Sequence, residues 1–152
     1  MEDEMVIIVI ALAIFITDVK IKKYIEEKKE MHKKEDILNG NITIERYHNK
    51  GAMLNFMQND AGIVKCLSAS LLGIIFLIFA ALLPKKGNTF LKFGLALVLG
   101  GALSNVYDRF KRGYVVDYFS FKFLKKIVFN ISDIFIFIGS FLIAVLAIFK
   151  KD

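Results

Sequence analysis

The chain is poor in the residue types that most enzymes recruit for metal, thiol or serine chemistry: of its 152 residues one is cysteine and two are histidine. A single cysteine, Cys66, permits neither an intrachain disulfide nor a thiol redox pair. Lying inside an apolar run, it reads as a small packed hydrophobe. His32 and His48 both fall in a polar stretch and no His-Glu-x-x-His pattern occurs, which argues against a zinc peptidase. Neither a metal site nor a cofactor site is expected. No Gly-x-Ser-x-Gly is present, so a serine hydrolase has no recognisable elbow. Internal repeats and low-complexity segments are also missing. The formal net charge of +6 is not a nucleic-acid signature, because the basic residues lie between or beside apolar runs, where they anchor to headgroups.

What the chain has in quantity is apolar sequence. At 56% hydrophobic it is too apolar for one soluble core of this length. A helix needs roughly 20 mostly apolar residues to cross the hydrocarbon layer. Four segments approach that length, at about 5–21, 66–83, 93–107 and 127–149. The first contains an unbroken apolar run, Met5 to Ile16, that ends at Thr17-Asp18. Its leading Glu2, Asp3 and Glu4 are acidic, unlike a secretory leader, and no small-residue cleavage site follows, so a retained helix is expected. The second, Cys66 to Leu83, carries no charge and stops at Pro84-Lys85-Lys86-Gly87. The third holds Gly94, Gly100 and Gly101, which let helix backbones approach closely. The fourth carries Asn130, Ser132 and Asp133 near its start and is followed by Lys150-Lys151 at the interface. Between the first two spans, Lys22–Glu30 could extend the first helix into water. The alternating Asn41–Tyr47 reads as a short half-exposed strand, while Lys33–Asp36 reads as solvated surface. The fold class that follows is an all-α membrane protein with four transmembrane helices and a small extramembrane β element between helices 1 and 2, in one domain, 1–152.

Ionisable groups at membrane depth cost about 2.5 to 3.5 kcal/mol at a span's centre and persist where they are paired or functional. Asp18 and Asp133 lie inside or at the edge of apolar helices, and Asp117 enters from the loop after span three. Asn130 is placed to cap span four, with Asp133 on the same face about 4.5 Å deeper. If Asp117 meets it there, two carboxylates share one low-dielectric site and one of them is driven to hold a proton. That supplies an acid and a base for activating water against a peptide carbonyl, without metal or covalent nucleophile. Other readings stand beside this one. Asp133 could simply complement the helix dipole, Asp18 and Lys22 at i, i+4 form a favoured helical ion pair, and Arg109, Lys111 and Arg112 could be interface anchors. Aspartate chemistry and transport both remain open on these residues alone.

Four motifs taken together resemble the lipoprotein signal peptidase (signal peptidase II) family: Asp18-Val19-Lys20-Ile21-Lys22; Asn49-Lys50-Gly51-Ala52-Met53; Ser104-Asn105-Val106-Tyr107-Asp108-Arg109 with Val115-Val116-Asp117-Tyr118; and Phe129-Asn130-Ile131-Ser132-Asp133. The resemblance implies an intramembrane aspartyl endopeptidase that cuts a prolipoprotein just before its lipid-modified cysteine. It implies Asp117 and Asp133 as the catalytic pair and Asp18, Lys22, Asn49, Asn105, Arg109 and Asn130 as residues that shape the site. It further implies cytosolic termini, an active site at the outer leaflet of the bacterial inner membrane, lipid and lipidated precursor as partners, and a monomer. Counting Lys and Arg by the positive-inside rule would instead put the longer loops in the cytosol. The sequence departs from the family pattern at Val19 (usually Gln), Met53 and Leu54 (Ala and Phe), Ser104 (Gly), Tyr118 (Phe) and Ser132 (Ala). Met53, bulkier than Ala near the pocket, bears on substrate fit and leaves room for a paralogue of narrower range. The competing expectations are a small transporter using buried carboxylates and an inactive relative that binds lipidated precursors.

Overall fold

A computed structural model describes residues 2–52, 56–124 and 127–149. In chain order it forms α1 (Glu2–Lys28), β1 (Glu35–Ile37), β2 (Ile42–Asn49), α2 (Ala61–Leu82), α3 (Thr89–Lys111), β3 (Val115–Phe121) and α4 (Ile131–Phe149). Met53, Leu54, Lys150 and Lys151 lie outside the described residues.

Among the described residues three helices, Gln58–Leu82 with its leading turn, Thr89–Lys111 and Ile131–Phe149, are long and apolar enough to cross a membrane. α1 is longer than any of them, but Asp18, Lys20 and Lys22 break its apolar stretch. Leu67, Leu71, Ile74 and Leu77 on α2 and Phe137, Phe141 and Ile148 on α4 are exposed, an outward apolar face suited to lipid.

α3 is the hub. Its segment Gly94–Gly101 is buried, packed between α1 on one side and α4 on the other. Glycine makes both approaches. A Cβ on Gly100 would stand 2.6 Å from the Ala11 carbonyl of α1, and one on Gly101 would stand 2.5 Å from the Ser132 carbonyl of α4. The backbones therefore meet more closely than any larger residue allows.

The β element is larger than the sequence suggests. β2 is central in an antiparallel sheet of order β1-β2-β3, so one strand comes from the loop between α3 and α4, not only from the loop between α1 and α2. β1 falls where the charged run read as plain surface. Val115–Phe121 gives no clean alternation in sequence because both of its faces are used. Val116 and Tyr118 pack with Ile25 and Ile21 of α1, while Val115, Asp117 and Phe121 line a cavity.

Helix bounds also shift. α4 begins at Ile131 rather than 127, because Phe129 is engaged by β3: its amide donates to the Phe119 carbonyl at 2.7 Å, and its carbonyl accepts from the amides of Tyr118 and Phe119. α3 runs on to Lys111, and the mixed-charge segment after Lys22 does continue α1, to Lys28.

Candidate active site

The sheet, α3 and α4 enclose a cavity of about 530 Å³ whose lining includes Asn49, Asn105, Arg109, Asp117 and Asp133 at its polar part. Phe121, Phe123, Leu124, Phe129, Ile134 and Phe137 form much of its apolar wall.

Each polar group is delivered by a local device. Strand alternation turns Asp117 toward the cavity while Val116 and Tyr118 point into the helices. Asn49 sits at the end of β2, opposite Val115 in the register, and its Nδ2 donates to Asp117 Oδ2 at 3.1 Å. Asn130 caps α4 reciprocally with Asp133. The Asp133 amide donates to Asn130 Oδ1 at 3.0 Å, and the Asn130 amide donates to Asp133 Oδ2 at 3.1 Å, an arrangement of the capping-box kind. Asp133 is thus a helix cap and a cavity carboxylate at once.

Asn130 also joins the two acids. Its Nδ2 donates to Asp117 Oδ1 at 2.7 Å and to Asn105 Oδ1 at 3.2 Å, while Asn105 Nδ2 donates to Asp133 Oδ1 at 2.9 Å. Both amide orientations follow from these bonds, since each amide oxygen faces donors and each nitrogen faces a carboxylate. Burial, reinforced by the Asp133 carboxylate nearby, pushes the Asp117 carboxyl from 3.8 up to about 7. Arg109 clamps the loop after β2 to α3, with Nη2 donating to the Gly51 carbonyl at 3.0 Å and Nη1 to that of Asn105 at 3.3 Å.

Asp18 and Lys22 do not line the cavity. They lie behind it, both fully buried, as an ion pair at 2.8 Å, with Lys22 Nζ donating to Asn105 Oδ1 at 2.7 Å. Sequence reasoning passed over several groups in this layer. Asp108 is buried, stands 3.5 Å from Lys22 Nζ, pairs with Arg112 and accepts from the Val116 amide at 3.1 Å, which anchors the start of β3. Ser104, Tyr118 and Ser132 likewise meet Asp18. Their signals in the sequence were that they interrupt apolar stretches and that Ser104, Tyr118 and Ser132 depart from the family pattern. Lys111 caps Tyr107 OH at 2.8 Å from an exposed position, in keeping with an interface anchor.

Comparison with known proteins adds the family. A model described as signal peptidase (SPase) II matches residues 10–149. The chain is similar to a lipoprotein signal peptidase of Clostridioides difficile, 32% identical over 76% of each chain. It is similar to that of Caldanaerobacter subterraneus, 37% identical over 67% of this chain and 68% of the relative, and to that of Ectopseudomonas mendocina, 31% identical over 95% of this chain and 88% of the relative. A solved bacterial membrane enzyme shares the fold, with a TM-score of 0.82 at 24% identity over 97% of this chain and 93% of the other.

Proposed function

Since the chain belongs to the signal peptidase II family, we propose that it is an intramembrane aspartyl endopeptidase that removes the signal peptide of prolipoproteins before the lipid-modified cysteine. The observation that carries the reading is the pairing of Asp117 and Asp133 around one cavity, with Asn130 bonded to both.

In the resting pair the two carboxyls share a proton, and Asp117, lifted by its burial, serves as the acid while Asp133 serves as the base. A water between them gives its proton to Asp133 as its oxygen attacks the scissile carbonyl, and Asp117 donates to the developing oxyanion. The roles then exchange as the amine leaves. Asn49, Asn105 and Asn130 hold the two carboxylates with four side-chain or backbone donors, so little reorganisation accompanies the charge movement. Arg109 fixes the rim at Gly51. The aromatic wall suits an extended apolar segment and a lipid-bearing residue.

α1 is the fourth span in this reading. Its exposed Val6, Val9, Leu12 and Ile16 face lipid, and its polar end reaches the layer behind the pair. The termini are cytosolic, the site opens at the outer leaflet of the inner membrane, and the protein works as a monomer within lipid, with no cofactor and no metal. Incubating the purified protein with a synthetic lipidated precursor and following products by mass spectrometry tests this. Cleavage on the amino side of the modified cysteine is expected, lost in Asp117→Asn and Asp133→Asn. Activity persisting in either variant would refute the pair.

A further inference from the structure

Behind the carboxylate pair, one buried acid gathers an unusual set of partners. Asp18 Oδ2 accepts from Ser104 Oγ at 2.6 Å and from Ser132 Oγ at 2.5 Å, and its Oδ1 accepts from Tyr118 OH at 2.8 Å. These hydroxyls come from α3, α4 and β3, and Ser104 and Ser132 are fully buried. They sit at three positions where the sequence departs from the motif pattern given above, so the departures meet at one atom group. The Tyr118 proton has a fixed direction: the Ile131 amide donates to the same oxygen at 3.0 Å, leaving the hydroxyl hydrogen for Asp18.

The Lys22 ammonium has three protons and four acceptors within reach: Asn105 Oδ1 at 2.7 Å, Asp18 Oδ2 at 2.8 Å, Ser104 Oγ at 3.0 Å and, farther off, Asp108 Oδ2 at 3.5 Å. With Asn105 Oδ1 held by an ammonium, the amide cannot turn over, because its NH2 would then face a cation. Its Nδ2 is consequently fixed on Asp133.

We propose that Ser104, Tyr118 and Ser132 form a hydroxyl cage around Asp18 that, through Lys22 and Asn105, keeps the amide donor aimed at Asp133, making all three positioning residues for peptide cleavage. The physical reason is competition for the ammonium. A buried carboxylate deprived of its hydroxyl donors draws the cation more strongly to itself. Lys22 then withdraws from Asn105 Oδ1, leaving only the 3.2 Å bond from Asn130 Nδ2 to hold the amide against rotation away from Asp133. The inference rests on the aspartyl reading of the site.

The test uses the full-length enzyme in lipid, with kcat and KM measured on a lipidated precursor for Ser104→Ala, Tyr118→Phe and Ser132→Ala, each of which removes one oxygen and little else. Each is expected to lower kcat by about three- to tenfold with KM unchanged, a fraction of the worth of one hydrogen bond to a charged group, because the loss reaches Asp133 only through Lys22 and Asn105. In an Asn105→Ala background, or Asn105→Ser where alanine turns over too slowly to measure, the same changes are expected to have no further effect, since the route they act through is gone. Parent kcat in the serine variants, even with a lowered melting temperature, overturns the proposal. So does a loss that multiplies with that of the Asn105 change. Asp117→Asn is run alongside: activity there sinks the aspartyl reading itself, whereas an inactive Asp117→Asn beside parent-like hydroxyl variants sinks only the cage.

Discussion

Replacing Asp117 with asparagine is expected to stop turnover and to stabilise the fold at neutral and alkaline pH. Asparagine has the shape of a carboxyl group that cannot ionise. In the folded protein Asp117 is 2% exposed, and burial together with the neighbouring Asp133 carboxylate lifts it from 3.8 to about 7. Between those two values the native state keeps a proton that the unfolded chain has already released, so stability falls as pH rises through that window and levels off above it. At about 1.4 kcal/mol per pH unit the loss reaches ~4 kcal/mol by pH 8. Asp117→Asn escapes this pH dependence, and its NH2, which must face the Asn49 or Asn130 donor, adds a pH-independent cost of about 1–3 kcal/mol. Thermal melts of the two proteins in the same detergent from pH 4 to pH 8 read the effect. The melting temperature of the variant relative to the parent should rise by about 10 °C from the acid to the alkaline end. A melting-temperature difference that does not change with pH would mean that Asp117 ionises freely, and the shared-proton argument would fail with it.

Three further outcomes follow from the geometry. Turnover by the parent is expected to decline above about pH 7, as Asp117 loses the proton it donates, and a rate still rising at pH 8.5 would contradict its role as the acid. Gly101→Ala would drive a Cβ to 2.5 Å from the Ser132 carbonyl, costing about 1–3 kcal/mol. By forcing α3 from α4 it displaces Asn105 from Asp133, so activity per folded molecule should fall as well as the melting temperature. Asn130→Ala removes the α4 cap and the link between the acids. A loss of about 2–4 kcal/mol and about a hundredfold in kcat is expected, read by melts and by precursor cleavage.

What could be read in the sequence was mostly local. The three-residue step from Asn130 to Asp133 carries its own cap geometry, and the four-residue step from Asp18 to Lys22 its own ion pair. Stretches of hydrophobic sequence located each helix, although α1 runs on to Lys28 and α2 begins at Ala61, beyond the expected spans. The strand Val115–Phe121 was hidden because it is lined on one face by helix α1 and on the other by a cavity, which erases the polar alternation that marks a surface strand. The hydroxyl cage was hidden for another reason. Its members are 86, 100 and 114 residues from Asp18 in sequence, and nothing local distinguishes a serine that meets a buried acid from one that caps its own helix.

The polar layer explains how such a site can exist in so apolar a protein. Asp18, Lys22, Asp108 and Arg112 are two acids and two bases, linked by Lys22 to both acids and by Arg112 to Asp108, so their formal charges cancel. A neutral cluster exerts a weak field at a distance, so it adds no large net charge behind the Asp117–Asp133 pair. Neutrality alone would not orient anything, because an ammonium is free to turn. Direction comes from the amides, Asn105 and Asn130, whose two ends differ. The cluster locks Asn105 from behind, the α4 cap locks Asn130 from the side, and both then present N–H to a carboxylate. On this account, a substitution in the cluster that preserves charge but alters bonding, Lys22→Arg, should impair turnover more than it impairs folding.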